Sequence, residues 1–416
     1  MQRTSQPGAR YSPFAGAGLG VALASGAVVA SISWRLAGDV LPGGSWPAVH
    51  VFTLGAVTPL IATFMPRFAA ALLHARPARG QADQARTLFI AAGAALVIAG
   101  RLIPSTPLLA AGAFVLTAAV GWLYAVLRGV RRQALPARFG FIVRAYERAC
   151  GAFLHGALLG ALLGAGVIPG AWYGRVRIAH IQLMVLGWAG VPLLATIVMF
   201  GPAMMRARIE DGADAVAARA LPRASTATTV AAFALMAMGA GGTAGMAARV
   251  VAGVSLGIFA WAVIQICAPV LRTARRAPSA ARWFVAGACA WLILAALLNA
   301  GSVITATPAW TNAAIVALLT GGLLQAILAS ISYVIPLLTG RDAVQRSAAS
   351  STLAAIPQAR AIALWTGAAL VAVGTGFASG IGAHMARAGW TLVAAGVVLT
   401  IALCAMAMHG SRRVRL

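Results

Sequence analysis

Long apolar segments separated by short polar loops run along almost the whole chain. Twelve of these segments are long enough to cross a bilayer as helices, which takes about 20 residues each. Their apolar residues are not interleaved with polar ones, which argues against the strands of a membrane barrel. The pattern predicts an all-α integral membrane protein, a single transmembrane domain over residues 1–416 with 12 transmembrane helices. The predicted spans cover about 15–38, 48–74, 87–104, 107–128, 142–168, 177–205, 225–246, 249–271, 283–302, 309–338, 361–382 and 387–408.

Three of the predicted spans share a motif. The first copy starts at His50 and runs His-Val-Phe-Thr-Leu-Gly, and the second starts at His180 and runs His-Ile-Gln-Leu-Met-Val-Leu-Gly-Trp. The third, looser copy carries Gly-Gly-Leu-Leu-Gln, and its first glycine, Gly321, follows Gly187 at almost the same interval at which Gly187 follows Gly55. A fixed period, here about 133 residues, indicates a repeated structural unit. We therefore predict three four-helix repeats, with the motif on the second helix of each, over about residues 15–128, 142–271 and 283–408.

Composition and charge support the membrane assignment. Sixty-one per cent of residues are hydrophobic and 9% are charged, and the mean hydropathy is +0.88. The net charge of +25 comes from 32 basic residues, all of them arginine. Assigning the loops alternately to two sides places 26 arginines on the side of both termini and six on the other. This asymmetry predicts a multi-pass protein of the inner (plasma) membrane with both termini in the cytoplasm.

The same charge distribution excludes a nucleic-acid partner, because no loop is long enough to form a basic folded face. The first residues of the chain show no clear cleavage site and are interpreted as a retained start rather than a signal peptide. The four cysteines have no metal-ligand spacing and are interpreted as packing residues.

Acidic residues are scarce, which argues against proton pumping. Only Glu147 is predicted near membrane depth, whereas proton pumps and proton-coupled carriers usually hold carboxylates inside the membrane. The other six acidic residues are predicted in loops or at the ends of spans: Asp39, Asp83, Glu210, Asp211, Asp214 and Asp342.

The three-fold helix pattern and the two histidine motifs resemble the catalytic subunit of haem–copper oxidases. The phrases that begin at His50 and His180 look more like the NnrS-type haem- and copper-containing relatives than like true oxidases. The resemblance implies that His50, on the second helix, takes the place of a low-spin haem ligand. It also implies that His180, on the sixth helix, takes the place of a copper ligand. Haem, copper or both are the cofactors expected on this basis.

The chain also departs from the oxidase pattern. The seventh predicted helix, Ala224 to Met246, contains no histidine, so the paired copper ligands of that family are missing. The tenth, Ala309 to Leu338, contains none either, so both haem ligands expected there are missing, with only Asn312 and Gln325 as polar substitutes for them. An oxygen-reducing centre cannot be assembled from this set.

The candidate site residues follow from depth and chemistry. His50 and His180 are predicted at similar depths near the outer face, and imidazole is a usual ligand of haem iron and copper. Met184 lies one helical turn after His180 on the same face, and His384 lies in or beside an outer loop; either is a candidate for the metal. His155 is predicted deep in the fifth span and is a candidate for a haem edge or propionate. The alternative is that these histidines are polar residues hydrogen-bonded to neighbouring helices.

Three functional hypotheses remain open at the level of sequence. The first is a haem- and/or copper-binding membrane protein in nitric oxide or copper handling, or in respiratory metalloprotein assembly. Its partners would be the lipid bilayer and respiratory or copper-handling membrane proteins. The second is a cofactor-free transporter of copper or a small solute, and the third is a structural or assembly protein without ligands. Whether the chain has catalytic turnover is not decided by the sequence.

Overall fold

The computed structural model describes residues 17–38, 42, 44–75, 80–134, 137–340, 342–377 and 380–413, with side chains to residue 409. The predictions for the N-terminal lead and for Asp39 lie outside these residues. The long helices are α1 (Gly18–Ala37), α2 (Ser45–Leu72), α3 (Gly80–Leu102), α4 (Thr106–Gln133), α5 (Gly140–Gly164), α6 (Gly170–Met204), α7 (Ala213–Ala237), α8 (Gly242–Arg276), α9 (Arg282–Ile304), α10 (Pro308–Thr339), α11 (Pro357–Gly376) and α12 (Gly380–Arg413). A short helix, Ala343–Leu353, lies between α10 and α11 in the chain.

The helices are those of an all-α membrane protein. Ten of them within the described residues are long and apolar enough to cross a membrane, namely α1–α4, α6 and α8–α12. Helices α5 and α7 are 25 residues each but carry arginines and acidic residues in their first turns, which lower their hydropathy. Successive helices alternate in direction, because short connections join them. We call the end of the bundle where α1 begins and α12 ends the arginine-rich end, and the opposite end the arginine-poor end.

Helices α2, α6 and α10 each change winding near their middle. The backbone passes from α-helix to π-helix over Val51–Val57, Leu183–Gly190 and Leu318–Leu323, then returns to α-helix. The first two π-helical segments end two residues before a proline, Pro59 or Pro192. Proline cannot donate a backbone hydrogen bond and its ring crowds the carbonyl four residues earlier, so the wider winding relieves both problems. π-Helical segments are rare in proteins, and those that occur are frequently found at functional sites.

The three motif glycines, Gly55, Gly187 and Gly321, all lie in these π-helical segments, each against the helix that precedes its own. A Cβ atom at Gly55 would come within 2.9 Å of Ala27 on α1, and one at Gly187 within 2.6 Å of Ala152 on α5. At Gly321 the obstructing side chain is Trp291 on α9. Only glycine allows helix backbones to approach this closely.

The helix boundaries correct two expectations. The predicted span 225–246 runs through a glycine-rich stretch that begins at Gly239, but the turn between α7 and α8 lies in this stretch. Gly241 and Gly242 there have φ of +71° and +52°, a left-handed backbone conformation that glycine adopts without strain. Helix α7 accordingly begins at Ala213, more than three turns ahead of its predicted span. The short helix Ala343–Leu353 was not predicted, because its sequence is polar and lacks an apolar period.

A buried ionic cluster joins α2 and α3 toward the arginine-rich end. Asp83 was predicted in a loop or at the end of a span, and it lies in the first turn of α3. Asp83, Arg67 and Arg86 are each at most 4% exposed. The Asp83 carboxylate accepts from Arg86 at 2.7 Å and lies 3.6 Å from an Arg67 nitrogen. Arg86 also donates to the Ala62 carbonyl at 3.1 Å, and Arg67 to that of Thr63. The two buried guanidinium groups thus share one buried carboxylate. The side chains of Asp83, Arg67 and Arg86 together carry one negative and two positive charges.

Buried side-chain hydrogen bonds connect the motif helices to other helices. Trp188 on α6 donates to the Thr58 hydroxyl of α2 at 3.0 Å. The amides of Gln182 on α6 and Asn299 on α9 exchange two hydrogen bonds of 3.1 Å each. Buried polar groups need such partners, and reciprocal pairs fix the register of the helices that carry them.

Candidate functional site

His50 lies in the last α-helical turn of α2 before the π-helical segment, near the arginine-poor end. Its ring is half-buried and stacks on Trp46 with a centroid separation of 3.8 Å. Its Nδ1 lies 2.9 Å from the Trp46 carbonyl oxygen. A carbonyl only accepts hydrogen bonds, so Nδ1 carries the proton and donates. The lone pair of a neutral His50 therefore sits on Nε2, the nitrogen free to bind a ligand.

His180 is held by a different helix. Its Nδ1 donates to the Gly156 carbonyl of α5 at 2.7 Å, which again leaves Nε2 as the acceptor. The ring packs against Gly160, where a Cβ atom would come within 2.7 Å of His180 Cε1 and 3.0 Å of Nδ1. A hydrogen bond from the second ring nitrogen to a carbonyl is the arrangement that commonly orients metal-bound histidines. Here α5 provides both that carbonyl and the space for the ring.

Met184 packs beside His180 on the same face of α6. Its Sδ and Cγ would lie 2.7 and 3.1 Å from a Cβ atom placed at Gly156. Gly156 and Gly160 are one turn apart on α5 and form a shallow groove that accommodates the thioether and the imidazole in successive turns. The i, i+4 relation in the sequence thus corresponds to two neighbouring side chains.

His50 and His180 lie in the same region of the bundle, where a charge on the His180 ring would act electrostatically on His50. Their helices, α2 and α6, therefore bring two imidazoles with available Nε2 lone pairs to the same part of the bundle, with a methionine sulfur one turn from the second. Two imidazoles and a thioether are nitrogen and soft sulfur donors, a set suited to copper.

The other two candidates are elsewhere. His155 is exposed on α5, donates from Nδ1 to the Gly151 carbonyl at 2.8 Å and lies edge-on to Phe233 of α7 at 6.1 Å between ring centroids. His384 is exposed in the first helical turns of α12. Among the described contacts, none joins either residue to His50 or His180. The structure therefore narrows the candidate site to His50, His180 and Met184.

The described residues contain no group of three or more histidine, cysteine or acidic side chains placed to hold a metal ion. All four cysteines are free and buried. The thiols of Cys267 on α8 and Cys289 on α9 lie next to each other, a proximity that their positions in the sequence did not indicate. A metal at the candidate site would thus rely on the two imidazoles, with sulfur or a non-protein ligand completing its coordination.

One sequence pattern that indicates this site was not used in the predictions above. Gly156, Gly160 and Gly164 recur every four residues on α5, a spacing typical of a face that lets another helix or ring approach closely. The first two form the groove under Met184 and His180, and the third accommodates Leu109 of α4.

The sequence was compared with models of protein families and with curated proteins, and neither comparison found a match.

Filling the groove on α5 tests whether the position of His180 matters. We expect Gly160→Ala to displace the His180 ring, because the added methyl group would overlap it, and to weaken metal binding by about 10- to 100-fold, the effect typical of losing a ligand's supporting contact. Binding of copper(I) to purified protein, measured by competition with a chromophoric chelator, reports this directly. Gly151→Ala is the matched control, since nothing lies within 4 Å of a Cβ atom at that position on the same helix. Equal affinities for the two variants would show that the groove does not support a ligand.

Proposed function

We propose that this membrane protein binds copper near the arginine-poor end of its bundle through His50 and His180, with Met184 as a soft third donor, and serves in copper or nitric oxide handling. The proposal is supported by two imidazoles on separate helices, each with Nδ1 committed to a backbone carbonyl and placed where the charge of one acts on the other. Bound copper would supply a redox-active centre able to take a small ligand such as nitric oxide. The protein's part is to keep both imidazoles neutral and correctly turned.

A second candidate is haem, alone or beside copper. It is favoured by the position of His50, which lies where the resemblance to haem–copper oxidases implies an axial haem ligand. His50 Nε2 is available for such a bond, and imidazole is a usual axial ligand of haem iron. The stacked Trp46 would hold the ring plane against rotation.

We further propose that the chain contains twelve spans in three four-helix repeats, α1–α4, α5–α8 and α9–α12. Support comes from the π-helical segments, which begin at Val51, Leu183 and Leu318. These starting points are nearly evenly spaced along the chain, and each lies on the second helix of its unit. The motif glycine in each segment packs on the first helix of the same unit.

The arginine asymmetry supports an inner-membrane location with both termini in the cytoplasm. A reporter enzyme that is active only in the periplasm should be inactive when it is fused after the C-terminus. The same enzyme inserted between α9 and α10 should be active. The opposite result would invert the topology and place the histidines on the cytoplasmic side.

Absorption spectra with metal analysis distinguish the candidates. On purified protein, copper binding predicts close to one copper per chain without a Soret band. Haem binding predicts a Soret band that shifts on reduction with dithionite. Protein that contains neither, after expression with copper and haem supplied, would contradict both candidates and leave a transporter or an assembly protein as the remaining explanations.

A further inference from the structure

A cavity that includes arginine and hydroxyl side chains in its lining opens among the helix ends at the arginine-rich end, the end opposite to His50 and His180. It has a volume of about 550 Å³ and lies between the end of α6, the α8–α9 connection, the second half of α10 and the short helix Ala343–Leu353. Arg206 and Arg346, both exposed, line its mouth, and no acidic side chain is among its described lining residues. The lining also includes the hydroxyl-bearing residues Ser279, Ser332, Tyr333, Ser347, Ser350 and Ser351.

A third arginine lies outside this cavity and contacts two of its lining residues. Arg360 at the start of α11 is 1% exposed, and it donates to the Leu353 carbonyl at 2.6 Å and stacks over Phe284 at 5.1 Å. Leu353 and Phe284 both line the cavity. The Nε atom of Arg360 has no hydrogen-bond partner, and none of the described ion pairs includes Arg206, Arg346 or Arg360. Arg360 is thus a buried cation without a counter-charge, which is costly, so an anion in the cavity would be stabilised electrostatically by it and by the two exposed arginines.

A second, apolar cavity adjoins the first. It lies at the centre of the bundle, has a volume of about 150 Å³ and is lined mainly by the second halves of α2, α6 and α10. Two of its few polar groups, Tyr146 and Thr196, hydrogen-bond to each other at 2.8 Å. Met204 and Tyr333 line both cavities. The two cavities thus lie next to each other, on either side of these two shared residues.

We propose that the two cavities together bind one anionic phospholipid, with its phosphate at Arg206 and Arg346 and part of an acyl chain in the central cavity. Arginine and hydroxyl donors suit a phosphate group. A free phosphate ion would leave the apolar cavity unused, whereas a lipid satisfies both at once. Anionic lipids are abundant in the leaflet that faces the cytoplasm, the side to which the arginine-rich end is assigned.

Native mass spectrometry of the full chain tests this. Protein is reconstituted in vesicles of phosphatidylcholine and phosphatidylglycerol with identical acyl chains, extracted in mild detergent, and its retained lipids are counted. We expect one phosphatidylglycerol to be retained in preference to phosphatidylcholine. The head-site variant Arg206→Gln/Arg346→Gln should reduce that retention by at least about tenfold, since hydrogen bonds to a charged group are among the strongest. The tail-site variant Ala326→Phe, which places a ring in the central cavity, should reduce it as well.

The control is Arg275→Gln/Arg276→Gln. It removes the same charge from exposed arginines at the same end of the bundle, outside both cavities. Melting temperatures show which variants fold. If Ala326→Phe does not fold, the comparison of the head-site variant with its control decides the test. Unchanged retention in the head-site variant, or an equal loss in the control, would overturn the proposal. A folded Ala326→Phe protein that retains the lipid normally would also overturn it. The same holds if inorganic phosphate binds at Arg206 and Arg346 and the protein shows no preference for phosphatidylglycerol.

Discussion

Replacing His180 with alanine is expected to lower the affinity for copper more than 100-fold. The substitution removes a ligand itself, and loss of a residue that merely supports a ligand already costs about 10- to 100-fold. Apart from the electrostatic interaction with His50, no described contact joins His180 to another histidine. Competition with a chelator measures the copper(I) affinity of the purified variant and hence the fold-change. The amount of copper per chain after dialysis is an independent check.

His155→Ala is the matched control for this experiment. It removes an imidazole from α5, the helix that supports His180, at an exposed position whose contacts are with Gly151 and Phe233. We expect its copper affinity to equal that of the wild type. A comparable loss in His155→Ala would instead assign that histidine to the cofactor site, as the sequence had suggested.

The second large effect concerns stability. Asp83→Asn is expected to destabilise the protein by about 3–5 kcal/mol, because it leaves the buried guanidinium groups of Arg67 and Arg86 without their carboxylate. The asparagine keeps the size of the side chain and one acceptor oxygen, so the loss is that of charge rather than of volume. Unfolding in mixed detergent micelles, followed by circular dichroism, measures it.

Glu210→Gln provides the comparison for charge removal at the surface. Glu210 pairs with Arg272 at 2.6 Å, but the two side chains are 35% and 56% exposed. Exposed ion pairs are weak because water solvates both partners in the unfolded and folded states. We expect its melting temperature to stay close to that of the wild type. If the two variants melted alike, the buried cluster would have no special role in stability.

Much of the fold follows from local sequence. The apolar segments predicted the long helices because a bilayer requires about 20 uninterrupted apolar residues in each span. Their boundaries were less accurate where composition changes gradually. The first turns of α7 carry arginines and an acidic residue and were assigned to a loop, although a helix extends through them. The turn at Gly241 was missed because glycine is also common inside membrane helices.

The tertiary contacts could not be predicted in the same way. Nothing local distinguishes Asp83, which is buried between two arginines, from Asp214, which was assigned to the same class and forms an ion pair with an arginine that is 67% exposed. The direction of His155 is likewise set by the rotation of α5 about its axis, which depends on how Gly156 and Gly160 pack on α6. For His50 and His180 the repeat predicted equivalent depths, and their pairing at one site stays a prediction.

X-ray absorption at the copper edge of copper-loaded protein tests the central claim most directly. We predict two imidazole nitrogens in the first coordination shell, with sulfur as an additional scatterer in the wild type that disappears in Met184→Leu. His50→Ala and His180→Ala should each remove one imidazole contribution. A copper spectrum without imidazole scattering, or one unchanged by both histidine substitutions, would contradict the account.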